Sequence, residues 1–134
     1  QGIKINIIGE FNKISSSTKR VLKKVMKHTQ TNKKIIVNLA INYGSRNEII
    51  QAIKKCKNLR NLKNFQENLY TKKMPDPDIL IRTGGHKRLS NFLLWQLAYS
   101  EIFFLNKLWP DFNEVDLRKI IIKYKKMTRN FGAI

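Results

Sequence analysis

Cysteine is nearly absent from this sequence. Cys56 alone, in 134 residues, excludes an intrachain disulfide framework and a cysteine-based zinc site. Long apolar runs are missing as well. The most apolar stretch, residues 92–104, is broken by Gln96, Ser100 and Glu101, short of the roughly 18 residues a membrane span needs. Residues 1–30 hold no charged segment leading into an apolar core, so no secretory signal is visible. Cys56 recurs with Ile49, Ile50 and Ile53 on one helical face, which predicts a buried, reduced thiol. These absences predict a cytoplasmic protein. Acidic residues are scarce too: nine stand against 27 Lys and Arg, a formal charge of +18. That balance raises nucleic-acid binding as an alternative. However, the basic residues run along the whole chain instead of gathering on one stripe or arm. Lys outnumbers Arg 20 to 7, and Ile and Asn are abundant while Ala is scarce, a profile of adenine- and thymine-rich codons. Solvated surface is the favoured reading of the charge.

What is present alternates between strand and helix patterns. Apolar strands are expected at IKINII (3–8), IIVNLAINYG (35–44), DILIR (78–82) and EIFFL (101–105). Helical spacing follows Ser15–Ser17 through Val21, Leu22, Val25 and Met26, recurs over 46–58, and continues through Leu62, Phe65 and Leu69. SNFLLWQLAY (90–99) reads as a helix buried on most sides, and residues 114–127 as an amphipathic one. Between them, WPDF reads as a turn in which Trp109 is buried and Asp111 caps. Strands that are apolar throughout and separated by helices predict an α/β fold with a mostly parallel sheet covered on both faces. The chain opens on Gln1 where a natural start carries Met, so it is expected to be a portion of a longer protein.

Ligands of parallel α/β sheets bind beyond the carboxyl ends of the strands. There the sequence places RTGGHKRLS (82–90). Gly84 and Gly85 permit close backbone approach, and Arg82 and Arg88 carry planar cationic forks suited to phosphate oxygens. Ser90 sits where an N-cap of the next helix is expected, which adds free N–H groups. The expectation is a phosphate or diphosphate cup. Arg82 and Arg88 as solvated loop arginines, and Ser90 as a plain cap, are the structural alternative. Glu101, between AYS and IFF, is expected to be partly buried and to need a metal or a basic partner. His28 lies on a polar helical face and reads as surface.

The segment DPDILIRTGGHKRLSNFLLWQLAYSEIFFLNKLWPDF resembles the C-terminal signature of the cis-prenyltransferases, INYGSRNEI (41–49) resembles that family's NYGGR-type segment, and RNFG near the end its RRFG terminus. The resemblance implies a Mg²⁺-dependent transferase that condenses isopentenyl diphosphate onto an allylic diphosphate such as farnesyl diphosphate. In bacteria the product is the lipid carrier for cell-wall sugars, which implies peripheral membrane contact. Carried over by position, Arg82, Arg88, Leu89 and Ser90 match the isopentenyl diphosphate-binding run and Glu101 the glutamate assigned to Mg²⁺. A homodimer is implied, and the excess of apolar side chains over Asn91–Asp111 points to that segment as its interface. Two departures stand out. His86 occupies the position of the family's usual Glu, and the family's Asp-Gly-Asn-Gly-Arg-type loop, with its catalytic aspartate, has no counterpart. Residues 1–134 are therefore expected to be the C-terminal portion of one cis-prenyltransferase domain, inactive alone, with the sheet's first strands absent. The other class left open is a binding protein: a noncatalytic partner subunit or a basic nucleic-acid binder. Were Ser90 and Glu101 joined by one continuous helix, roughly 16 Å would separate them; either the helix ends early and the chain folds back, or Glu101 serves a partner subunit's site.

Overall fold

The computed structural model describes residues 2–58 and 60–128. The chain divides into two compact units at the Met74–Pro75 junction.

In the first unit, β1 (Ile3–Ile8) pairs in parallel with β2 (Ile35–Ala40), in the register Ile3↔Ile35 to Ile8↔Ala40. A parallel pair needs a long crossover, here α1 (Ser16–Thr29). Ser15 starts that helix as expected: its Oγ accepts from the Thr18 N–H at 3.3 Å. At the far end Thr29 Oγ1 accepts the Ile5 N–H at 3.1 Å, which ties the end of α1 to β1. Gly9 ends β1 at φ +116, and a Cβ there would collide with the Ile41 carbonyl, so no other residue fits.

Two helices follow, α2 (Ser45–Lys55) and the short α3 (Leu62–Gln66). The buried face of α2 is Ser45, Glu48 and Ala52. The expected Ile49–Ile50–Ile53–Cys56 face is not the inward one. Ile50 and Ile53 are exposed, and Cys56 is half-buried, its Sγ donating to Asn58 O at 3.3 Å. The helix turns toward the core on Glu48 because its carboxylate finds donors there. Nor is β2 covered on both faces as expected: Ile35, Ile36 and Leu39 are all exposed.

The second unit holds β3 (Ile79–Arg82) in parallel with β4 (Glu101–Phe104), in register from Ile79↔Glu101 to Arg82↔Phe104. The helix expected over 90–99 is not formed. Those residues run through successive turns, with φ +49 at Ser90, +61 at Asn91 and +44 at Leu93. Left-handed residues cannot continue a right-handed helix, so the apolar spacing serves a folded loop instead. Leu97 and Gln96 are buried, whereas Phe92, Leu94 and Tyr99 are exposed.

WPDF forms a short 3₁₀ turn (Trp109–Asp111). Trp109 is 71% exposed and stacks on Phe112 at 5.7 Å, so its expected burial is overturned. Asn113, and not Asp111, caps α4 (Glu114–Lys125). Its side chain accepts from Val115 and Asp116 N–H, and Asp116 returns the bond to the Asn113 N–H, a capping box. Lys107 reaches Asp116 at 2.7 Å, and Tyr124 donates to Asp78 at 3.0 Å, fastening α4 to its unit. No helix among the described residues is long and apolar enough to cross a membrane.

Candidate diphosphate-binding site

β3 delivers Arg82 to its carboxyl end, and the chain then turns on Gly84 and Gly85 at φ +88 and +76. The glycine N–H groups are not free for a ligand. Gly84 N–H donates to Lys107 O and Gly85 N–H to Leu105 O, both at 2.9 Å, while Leu105 N–H donates to Arg82 O at 2.8 Å. The glycines thus extend the β3–β4 pairing past the strand ends. Since no helix follows Ser90, the free helix N-terminus expected there does not exist. Side chains, not backbone amides, make this site.

Arg82 is half-buried, and its guanidinium bends over the loop. Nη1 donates to Ser90 Oγ at 3.0 Å and to the Arg88 carbonyl. A single cation therefore gathers the two ends of the run Arg88–Leu89–Ser90. Arg88 itself is exposed, and its guanidinium has no partner among the described residues. Leu89 is half-buried between them, and His86 and Lys87 are exposed on the same loop. The arrangement offers one tethered fork, one free fork and a hydroxyl between them, with no carboxylate paired to either arginine among the described residues. Such a set can take up a di-anionic group without first breaking an ion pair.

Glu101 opens β4, half-buried as expected, and its N–H donates to Asp78 O at 2.9 Å. The continuous helix that would hold it roughly 16 Å from Ser90 is absent, so the geometric reason for assigning it to a partner's site falls away. No group of three His, Cys, Asp or Glu side chains converges among the described residues. These residues do not compose a Mg²⁺ site; Glu101 can contribute at most one carboxylate. Burial pushes the Asp76 carboxyl up from its ordinary value.

One polar cluster has no counterpart in the sequence expectations. Glu48 is 1% exposed, accepting from the Tyr43 hydroxyl at 2.5 Å and the Tyr70 N–H at 2.8 Å. Tyr43 and Tyr70 meet edge to face at 6.4 Å. Burial first, then the Glu10 and Glu48 charges, raise the Tyr70 phenol. The signal in the sequence was Glu48 falling between NYGSR and the aliphatic residues of α2.

Residues 1–132 match the Prenyltransf family, whose description is "Putative undecaprenyl diphosphate synthase". The chain belongs to this family of prenyltransferases. An isoprenyl transferase of Clostridium perfringens is 43% identical over 145 residues, covering 99% of this chain and 56% of that protein. That of Rickettsia typhi is 44% identical over 135 residues, with 98% and 60% covered. Two solved structures are similar. A probable undecaprenyl diphosphate synthase from Campylobacter jejuni gives a TM-score of 0.88 at 35% identity over 98% of this chain and 64% of its own. Lavandulyl diphosphate synthase from Lavandula x intermedia, in complex with dimethylallyl diphosphate, gives 0.91 at 34% identity, with 98% and 61% covered. The chain thus spans a little over half the length of its relatives.

Proposed function

We propose that this chain is the C-terminal portion of a single cis-prenyltransferase domain that condenses isopentenyl diphosphate onto farnesyl diphosphate to make undecaprenyl diphosphate. The observation that carries the reading is the loop at the carboxyl end of β3. There Arg82, Ser90 and the unpartnered Arg88 form a cationic set in a chain matched by the family over residues 1–132. In this reading Arg82 and Ser90 fix the loop, Arg88 closes on the diphosphate of isopentenyl diphosphate, and Leu89 packs beside it. Condensation expels diphosphate as an anion, and preorganised cations stabilise such charge as it develops. A bound Mg²⁺ would supply charge neutralisation in the same sense, and Glu101 would be one of its donors.

The exposed aliphatics of β2 and the 56% coverage of the C. perfringens relative support the view that more of the domain completes the sheet. A homodimer through Asn91–Asp111 belongs to the same reading, supported by exposed Phe92, Leu94, Tyr99, Leu108 and Trp109. Phe103 is not available to it, being buried within its own unit.

Calorimetric titration of the chain with isopentenyl diphosphate tests the site. Saturable binding that Arg88→Ala weakens is expected. Binding indifferent to that substitution, or equal for inorganic sulfate, would remove the assignment.

A further inference from the structure

Beyond the carboxyl end of β1 the first unit holds a cleft of about 490 Å³, between residues 9–13 and α2. It shares no residue with the loop 82–90 or with the segment 91–111. Asn47, Gln51 and Lys55 stand four residues apart along one stripe of α2 and form one wall. The turn after β1 forms another, and Tyr70 joins the lining. Backbone pins that turn: Glu10 N–H donates to Asn42 O at 3.1 Å, and Asn42 Nδ2 donates to Glu10 O at 3.4 Å. The Glu10 carboxylate is already engaged, by Lys13 at 2.5 Å and by Asn47 Nδ2. Other polar groups of the cleft are not. The Lys55 ammonium, the Gln51 and Asn12 carboxamides and the Tyr70 hydroxyl make no hydrogen bond or ion pair among the described residues. Every lining side chain except that of Phe11 is polar.

With Glu10 neutralised by Lys13, the Lys55 ammonium leaves the cleft net positive, which suits an anion. The carboxamides and the phenol each donate and accept, as ligand hydroxyl groups do. Burial, then the Glu10 and Glu48 charges, keep the Tyr70 phenol protonated and able to donate. The half-buried Phe11 ring offers one apolar face, enough for the C–H face of a saturated ring. We propose that this cleft binds a sugar phosphate, its phosphate on Lys55 and its hydroxyl groups on Gln51, Asn12 and Tyr70. The volume lies within the span of small-molecule clefts, roughly 300–1,000 Å³. Its place beyond a strand's carboxyl end is where parallel α/β sheets take their ligands. An inorganic anion would leave the carboxamides unused, and a neutral sugar would leave Lys55 unused. The proposal goes beyond the diphosphate reading and stands if that reading fails.

Calorimetric titration with ribose 5-phosphate tests it. Saturable binding is expected, with inorganic phosphate and ribose each markedly weaker, since each offers half of the contacts. Lys55→Gln should weaken ribose 5-phosphate binding about tenfold or more, the loss of a hydrogen bond to a charged group. Lys54→Gln removes the same charge from the neighbouring position of α2, outside the cleft, and should leave the affinity nearly unchanged. Tyr70→Phe keeps the N–H that Glu48 accepts and should weaken the sugar phosphate several-fold. Equal losses in the two lysine variants would show a charged patch without a cleft and overturn the proposal. So would inorganic phosphate that binds as tightly as ribose 5-phosphate, or no binding of ribose 5-phosphate at millimolar concentration. Isopentenyl diphosphate is the control for the other site, and Lys55→Gln should not alter its binding. A parallel loss there would make the cleft part of the diphosphate site and likewise overturn the proposal. Lys54 and Lys55 are both exposed and their replacement leaves the core intact, so the comparison of the two decides even where Tyr70→Phe unfolds.

Discussion

Arg88 and Arg82 have the same chemistry and different situations. Arg82 holds the loop; Arg88 is held by nothing among the described residues. Removing Arg88 should therefore cost binding and not stability. In the protein extended to the length of its relatives, Arg88→Ala is expected to weaken isopentenyl diphosphate binding by about 1.5–3 kcal/mol, the value of a charge-assisted hydrogen bond. Arg88→Lys should recover only part, because a point charge does not reproduce the fork. Titration of the three proteins checks both statements. Glu48 is the opposite case. Its carboxylate satisfies a phenol and a backbone N–H in the core, so Glu48→Ala should destabilise the first unit by about 1.5–3 kcal/mol while leaving the diphosphate site unchanged. Urea unfolding followed by tyrosine fluorescence reads that loss.

Among the elements, α4 was the most legible. Its amphipathic spacing marked the helix over 114–127, but the cap expected at Asp111 falls to Asn113, which forms a capping box with Asp116. Asn113→Ala should cost about 1 kcal/mol, seen as a lower thermal midpoint. The Lys107 hydrogen bond, then the Asn113 N–H, hold the Asp116 carboxyl below the usual carboxylate range. A depressed folded pKa means that this stabilisation is complete above the unfolded value of about 3.9 and is lost as pH falls through the lower folded value. Asp116→Asn should flatten that part of the acid-side decline in thermal midpoint. Strands β1, β2 and β3 were readable because continuous apolar runs bounded by glycine or proline have few other uses, although β2 ends at Ala40, short of the expected 44, and β4 was readable from its short aliphatic and aromatic run alone. Residues 90–99 were not. Their apolar spacing fits a helix, and Asn91 is the one residue there with an ordinary tolerance for left-handed backbone. Periodicity reports which residues are apolar, not the sign of φ, and Ser90 and Leu93 carry no mark of theirs. The same limit hid the true partners of Gly84 and Gly85. Their freedom was evident, but the carbonyls of Lys107 and Leu105 lie twenty or more residues away in the chain.

For the whole molecule, the family and the site do not reach equally far. The Arg82–Ser90 loop is built within the second unit, whereas no group of three His, Cys, Asp or Glu side chains converges among the described residues, and relatives are longer by a large fraction. The 134-residue chain alone is therefore expected not to elongate farnesyl diphosphate. Mg²⁺-dependent incorporation of labelled isopentenyl diphosphate by the purified chain is the measurement, and sustained turnover would contradict the expectation. Binding without turnover would separate the two halves of the chemistry: recognition of one diphosphate inside this chain, activation of the other elsewhere.

The tether from Arg82 to Arg88 O and Ser90 Oγ also has a consequence for proteolysis. Lys87 and Arg88 are exposed cleavage points for trypsin on a loop with no regular secondary structure, yet the segment enters a protease cleft only when its ends come apart. Arg82→Lys keeps the charge but gives up the two-point grip, so the loop should be nicked sooner in the variant than in the parent protein. A diphosphate that bridges Arg88 and Ser90 should restore resistance in both. The time course of a trypsin digest, with and without isopentenyl diphosphate, thus reads out how firmly one guanidinium keeps the loop shut.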